Sequence, residues 1–358
     1  MKVLVVANRV CARTVKQMIA LSNHVELHLV THTIPEADVF ESVSFYHEVD
    51  GLKKALKRYE DCDIIHAVSE PSWVVIACRE VLPNKKIVYD WHDAQIWRSD
   101  KAEDASTEER LVSNWVDGII VPSQSCKTLI DSPIPTVVLP PYVNKQNIAY
   151  NAWGYVGGIV YEGRVDVPEM KSFMDYAKYV DLCKRFEEEG IAFSIYSPFS
   201  EKPRHKEVYK NICSWNRGLP YDQLINYLGV YDWGLCGNIG KHREWDVAMP
   251  NKLFEYMAGG IPIIALNAKE TGDFVEKHGV GISVSSIEEI KDRWDERDRC
   301  QKNVMLKRNQ FTMEEHIGAV TELYKRVLSQ PLKEDKGYAK NIKDNRFGAT
   351  TNSQEVSN

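Results

Sequence analysis

Short β-branched apolar runs alternate with amphipathic segments along this chain, and the alternation is run through twice. Residues 3–7 (VLVVA) are apolar at every position, as a strand covered on both faces must be. Residues 12–21 then carry apolar side chains at helical spacing, and 25–31 returns to strand character. The pattern continues with a helix at 51–59, a strand at 63–68, a helix at 72–81 and a strand at 86–90. An acidic, polar stretch at 99–109 leads into a helix ending near Trp115. Residues 118–121 form a strand, Ser123 caps a helix reaching 130, and 136–139 closes the set. Pro140-Pro141 and the polar 142–154 read as a linker, after which the alternation restarts. Strands fall around 155–161 and at 192–196, 233–236, 261–266 and 281–284. Helices fall at 169–188, after Pro220, at 251–258, near 271–277 and through most of 287–328. Strands alternating with helices predict parallel sheets covered on both faces. The spacing therefore predicts an α/β protein of two Rossmann-like parallel-sheet domains, 1–145 and 146–330, facing a central cleft. Ligands of such sheets lie beyond the carboxyl ends of the strands, which places the site in that cleft. Residues 331–358 lack apolar periodicity and read as a polar, disordered tail.

Composition excludes several classes. Hydrophobic content of 44% and charged content of 27% describe an ordinary globular chain. A net charge of −6 argues against a nucleic-acid partner, whose phosphates usually demand a basic surface. No apolar run approaches the ~20 residues of a membrane-spanning helix, which leaves peripheral membrane contact open. The opening strand 3–7 is too short for a signal-peptide core, and the eight scattered cysteines include no C-x-x-C pair. Reduced thiols and a cytoplasmic location are the expectation. The dinucleotide fingerprint is missing after the first strand, and 234–241 (GLCGNIGK) has the wrong spacing for a phosphate loop. No nucleophile elbow or Cys/His ligand cluster is evident, so no metal and no cofactor is expected. Asp61 and Asp63 flank Cys62 just before a buried strand, where acids mark a solvent-side turn.

The segment 248–265 (AMPNKLFEYMAGGIPIIA) carries the most chemistry. Pro250 suits a first helical turn, and Gly259-Gly260 with Pro262 stop the helix. Leu253, Phe254 and Met257 supply its core stripe. Its N-terminus would aim unsatisfied N–H groups at the strand ends, which makes an anion site worth ~0.3–1 kcal/mol per charge, or ~2 when partly buried. Asn251 opens the helix, Lys252 adds a cation and Glu255 a carboxylate one turn further on. Phosphates at the helix end and ribose hydroxyls on the carboxylate suit a nucleoside diphosphate.

That same segment resembles the donor-binding segment of GT-B glycosyltransferases, in particular the retaining, nucleotide-sugar-dependent family 4. Residues 231–238 (YDWGLCGN), 270–290 and 311–328 resemble the pieces flanking it in that family. In the first half, 63–71 (DIIHAVSEP), 87–93 (IVYDWHD) and 119–127 (IIVPSQSCK) resemble successive strand ends. The resemblance implies an N-terminal acceptor domain, a C-terminal nucleotide-sugar-binding domain, and a final helix within 313–329 packed back on the first domain. It implies a metal-independent hexosyltransferase that moves a sugar from a nucleoside diphosphate sugar, of UDP or GDP type, to an acceptor hydroxyl with retention. A nucleotide-sugar 2-epimerase of the same fold, and a transferase acting on modified DNA bases, are the alternatives.

Carried over by position, Glu255 matches the second acid of the family's E-x7-E pair, expected on the ribose. The first position falls on Val247, with Asp246 one residue away and Glu244 three. The family places a glycine and a basic residue near the diphosphate, and two registers compete here: Gly157-Gly158 and Gly163-Arg164. The second is favoured, because residues 159–163 (IVYEG) read as a buried strand leading straight to Arg164. His92 in YDWHD matches a histidine beside the donor sugar, with Asp93 after it. His92, Arg164 and Lys252 are therefore the expected catalytic residues, and Gly163, Asn251, Lys252 and Glu255 the expected donor contacts. Asn8 and Arg9 stand just past the first strand, and Trp91 and Trp97 are aromatic candidates for stacking on a sugar.

Overall fold

The computed structural model describes residues 1–68, 71–94, 115–130, 133–149, 154–170, 173–240 and 242–331. Trp97, Lys241, the segment 99–109 with the helix expected before Trp115, and the tail beyond 331 lie outside the described residues.

Seven parallel strands build the first sheet, in the order β3-β2-β1-β4-β5-β6-β7. They are β1 Lys2–Ala7, β2 Glu26–Thr31, β3 Ser42–Phe45, β4 Ile64–Val68, β5 Lys86–Asp90, β6 Gly118–Val121 and β7 Thr136–Val138. Helices α1 Ala12–Leu21, α2 Val49–Leu56, α3 Trp73–Val81 and α4 Gln124–Thr128 cover it. Strands β1, β4 and β5 are buried almost end to end, which is why their sequences are apolar without alternation. Asp61 pairs with Lys2, and Asp63 accepts a hydrogen bond from the Lys2 amide at 2.7 Å, so both acids secure the start of β1.

The second sheet has six parallel strands in the order β10-β9-β8-β11-β12-β13. They are β8 Ile159–Glu162, β9 Phe193–Ser197, β10 Ser214–Arg217, β11 Trp233–Gly237, β12 Ile263–Leu266 and β13 Gly281–Val284. Its helices are α5 Tyr179–Glu188, α6 Pro203–Tyr209, α7 Tyr221–Leu228, α8 Arg243–Val247, α9 Asn251–Gly259, α10 Lys269–His278, α11 Ile287–Asp292 and α12 Arg297–Lys307. Strand β8 begins at Ile159 rather than near 155. Gly157 and Gly158 take φ of 78° and 75°, a left-handed turn that breaks the extended run and leaves Tyr155 72% exposed.

Both sheets reverse strand order beside their first strand, between β1 and β4 and between β8 and β11. These are the positions where open α/β sheets part their loops and bind ligands. One apolar cluster runs from Val3 and Val5 through Leu253 and Phe254 to Tyr324, so the two halves share core. Two short helices, α13 Met313–His316 and α14 Gly318–Leu328, end the described chain. Helix α14 lies on β5, β6 and β7 and buries Val320, Leu323, Tyr324 and Val327 there. The segment crossing between the halves is held too: the Val143 carbonyl accepts from the Met313 amide at 2.8 Å, and the Glu314 carboxylate accepts from the Lys145 amide at 2.8 Å. On the far side of the cleft, Glu270 of α10 accepts from the Gln124 and Ser125 amides at 2.7 and 3.1 Å. A carboxylate of the second domain thereby caps a helix of the first.

Candidate functional site

A cleft of about 510 Å³ opens at the carboxyl ends of both sheets. Its second-domain wall is built on α9. Tyr256 fixes that helix to the sheet: its hydroxyl donates to the Leu235 carbonyl and accepts from the Glu162 amide, both at 3.2 Å. The approach depends on Gly234, where a Cβ would stand 2.2 Å from the Tyr256 ring. Leu253, Phe254 and Met257 are buried beneath, each contributing ~1.5–3 kcal/mol by burial. Helix α9 begins after Pro250 without a side-chain cap, so its first-turn amides face the cleft that Pro250, Asn251 and Lys252 line. Lys252 is half-buried, with its ammonium 5.2 Å from the centre of the Tyr161 ring and close to Gly163. Burial works against its charge, but Tyr161 and Glu162 outweigh that and hold its pKa above the ordinary lysine value.

Glu162, at the end of β8, meets Glu255 carboxyl to carboxyl. Burial first, and the Glu255 charge second, push the Glu162 pKa up to about 8. At neutral pH Glu162 therefore keeps its proton. Lys16, from α1 of the first domain, reaches across to them. Its ammonium donates to Asn251 Oδ1 at 2.7 Å and to Glu255 Oε1 at 3.3 Å. Lys16 is 2% exposed and Glu255 5%, so this ion pair is shielded from solvent.

The first-domain wall is a buried charge network centred on Asp90, the last residue of β5. His92 Nε2 lies 3.1 Å from Asp90 Oδ2, Arg13 Nη2 3.2 Å from Oδ1, and His66 Nε2 3.4 Å from Oδ2. His66 Nδ1 meets the Tyr324 hydroxyl of α14 at 2.6 Å. With Nε2 donating to Asp90, Nδ1 accepts from the phenol. At the cleft end, Cys11 Sγ stands 3.6 Å from His92 Nδ1. Burial alone would discharge His92, but the Asp90 carboxylate wins and raises its pKa to about 10. Burial would also raise the Cys11 thiol; the His92 charge overrides it and brings the pKa down to about 6. Asp90 itself is held well below the carboxylate range by His92 and Arg13 against its burial.

The structure thus brings His92, Asn251, Lys252 and Glu255 to one cleft. Gly163 follows β8 beside Lys252, whereas Gly157-Gly158 sits at the opposite end of that strand. Arg164 is not among the residues lining the cleft: its guanidinium forms two hydrogen bonds with Asp166, at 2.9 and 3.1 Å, and packs near Tyr176 and Phe199. Of the acids near Val247, Glu244 lines the cleft and Asp246 lines a separate surface hollow with Lys269. Trp91 is buried and stacks on Tyr89 in the core, away from a sugar-binding role. Asn8 accepts a hydrogen bond from the Tyr46 hydroxyl at 3.2 Å. Sequence reasoning missed Lys16, Cys11, Arg13 and Glu162; none belongs to a motif, and only Glu162, at the end of β8, stands where a strand end could have flagged it.

Comparison with known proteins finds one family model similar to part of the second half. Residues 170–319 match the model of the glucosyltransferase 3-like C-terminal domain. The matched stretch contains Glu244, Lys252 and Glu255, while Glu162 precedes it. Curated proteins return no match to the chain. Among solved structures, the chain is similar to HepE of Anabaena in complex with UDP-glucose: TM-score 0.65, 13% identity, 90% of this chain and 99% of that one. It is similar to a glycosyltransferase from Rickettsia africae, with TM-score 0.61, 14% identity, and 92% and 99% of the two chains. It is also similar to a proposed UDP-N-acetylglucosamine 2-epimerase from Listeria monocytogenes, with TM-score 0.59, 11% identity, and 92% and 97% coverage. The fold is GT-B. Among the described residues, no helix is long and apolar enough to cross a membrane.

Proposed function

We propose that the chain is a glycosyltransferase that takes a nucleoside diphosphate sugar in this cleft and passes the sugar to an acceptor hydroxyl. One observation carries the reading: the uncapped start of α9 puts amides, Lys252 and the Glu162–Glu255 pair together at the strand-order reversal of the second sheet. Diphosphate charge would be met by the α9 amides and Lys252, and the ribose hydroxyls by Glu255. As the sugar leaves, negative charge grows on the diphosphate, and preorganised cations and dipoles stabilise it without a metal ion. His92, held as imidazolium by Asp90, stands on the opposite wall, where sugar and acceptor would meet. The likeness to the UDP-glucose complex of HepE supports a UDP-hexose donor. Retention rests on the resemblance to family 4.

The test is a panel of nucleotide sugars scored by thermal shift and slow hydrolysis, on wild type, Glu255→Gln and Glu255→Ala. One nucleoside diphosphate class should stabilise the wild type. Losing charge-assisted contacts to ribose, ~1.5–3 kcal/mol, should weaken its binding ~10–100-fold in Glu255→Ala. Silence across the whole panel removes the reading. A second reading, nucleotide-sugar 2-epimerisation, is favoured by the carboxyl pair, since that reaction needs an acid and a base in the cleft. Epimerised nucleotide sugar formed without acceptor would replace transfer with it.

A further inference from the structure

Cys11 has no part in the chemistry proposed above, yet its surroundings are those of an activated nucleophile. It is exposed and lines the cleft, while six of the other seven cysteines are buried. Its sulfur faces His92 Nδ1 at 3.6 Å and Thr14 Oγ1 at 3.3 Å; His92 Nε2 in turn faces Asp90 at 3.1 Å. Thiol, imidazole and carboxylate stand in the order in which cysteine nucleophiles are activated: an imidazolium stabilises the thiolate, and a buried acid orients the ring. Arg13, on the same helix, holds the other oxygen of Asp90, so the acid stays ionised and in place. Among the remaining groups on the first-domain wall, Asp93 and Cys126 also line the cleft. The facing wall carries Glu162, Glu244 and Glu255 beside Lys252.

We propose that Cys11 is a modification site, a thiolate kept reactive by His92 that takes small neutral electrophiles, hydrogen peroxide among them, and whose modification closes the cleft. With peroxide, the thiolate sulfur attacks one oxygen; an S–O bond forms, the O–O bond breaks and hydroxide leaves. Sulfur is oxidised to the sulfenic acid and peroxide is reduced. With iodoacetamide, a C–S bond replaces the C–I bond and iodide leaves, without redox change.

The thiolate signature lies in pH dependence. With its pKa at about 6, Cys11 is half ionised at pH 6. An ordinary thiol of pKa ~8.5 is ~0.3% ionised there, a ~160-fold difference that the weaker nucleophilicity of a low-pKa thiolate cuts by ~13-fold, leaving about tenfold.

The experiment is iodoacetamide labelling of the full chain between pH 5 and 9, with the site mapped by mass spectrometry and half-buried Cys213 as internal reference. Cys11 should label with a rate inflexion near pH 6. In His92→Gln the inflexion should move above pH 8 and the pH 6 rate fall about tenfold. A wild-type inflexion above pH 8 overturns the proposal even if the variant does not fold. So does a profile that His92→Gln leaves in place. Closure is read separately and rests on the donor reading: labelling should abolish the thermal shift given by the stabilising nucleotide sugar in wild type, and change nothing in Cys11→Ser. Labelled wild type that is still stabilised refutes closure. If no nucleotide sugar stabilises untreated protein, the donor reading has failed while the labelling result stands on its own.

Discussion

The two walls of the cleft are made in different ways. The second-domain wall is largely contiguous: Asn251, Lys252 and Glu255 lie within two turns of one helix, with Glu162 from β8 and Glu244 from α8 beside them. The first-domain wall is collected from the whole chain, with Cys11 and Arg13 at the start of α1, His66 in β4, Asp90 and His92 at the end of β5, and Tyr324 in α14. The contiguous wall takes its ligand-facing groups from one helix, with Lys252 half-buried and Glu255 buried against Lys16. The assembled wall is a buried network whose members fix one another, with Cys11 at its exposed edge. A rigid, electrostatically preset floor fits the second.

The largest test of that contrast is Asp90→Asn. Removing the acid leaves Arg13 and His92 buried without their counter-charge, a loss of ~3–5 kcal/mol in urea denaturation at pH 7. A loss under ~1 kcal/mol would mean the network is not one unit. The pH dependence of stability comes next. The folded pKa of His92, about 10, lies above the ordinary value near 6.5. Its contribution is therefore complete below pH 6.5 and lost as pH rises through 10. Between pH 7 and 10.5, wild type should lose ~1.5–3 kcal/mol more than His92→Gln does. Equal slopes would detach His92 from Asp90.

Lys16 joins the walls, and its variant should move two quantities in opposite directions. Lys16→Met should lower stability, yet bind the stabilising nucleotide sugar ~3–10-fold more tightly, because Glu255 no longer has to leave an ion pair to meet the ribose. Weaker binding would make Lys16 a donor contact. The smallest effect on the cleft belongs to Arg164→Ala. Since that guanidinium is occupied by Asp166, donor affinity should change less than ~threefold in calorimetry, although buried Asp166 loses its partner and stability falls ~1–3 kcal/mol. A tenfold loss of affinity would return Arg164 to the diphosphate.

The same contrast explains what the sequence disclosed. Buried central strands are apolar at every position and announce themselves, as 3–7 and 86–90 do. Edge strands β3 (SVSF) and β10 (SWNR) are half-exposed, carry polar residues and escape such a reading. Helix α9 was legible because proline, lysine, glutamate and paired glycines sit at fixed offsets within one element. Cys11 and His92 are 81 residues apart and Lys16 and Glu255 are 239 apart, distances at which no local pattern survives. Lys16 lies in an amphipathic helix, where a lysine is ordinarily solvent-facing. Only packing α1 against the second domain reveals that it points inward.

Helix α14 has a consequence for how such a molecule is made. It covers β5, β6 and β7 so closely that a Cβ at Gly118 would stand 2.9 Å from Val327, and it delivers the phenol that His66 needs. A nascent chain emerging from the ribosome must therefore wait for residues beyond 318 before its first domain has a finished floor. The domain made first is completed last. Separating the halves at the 140–158 crossing would leave the amino-terminal fragment with an uncovered apolar face and an imidazole short of its donor, so the two cannot be exchanged as independent modules.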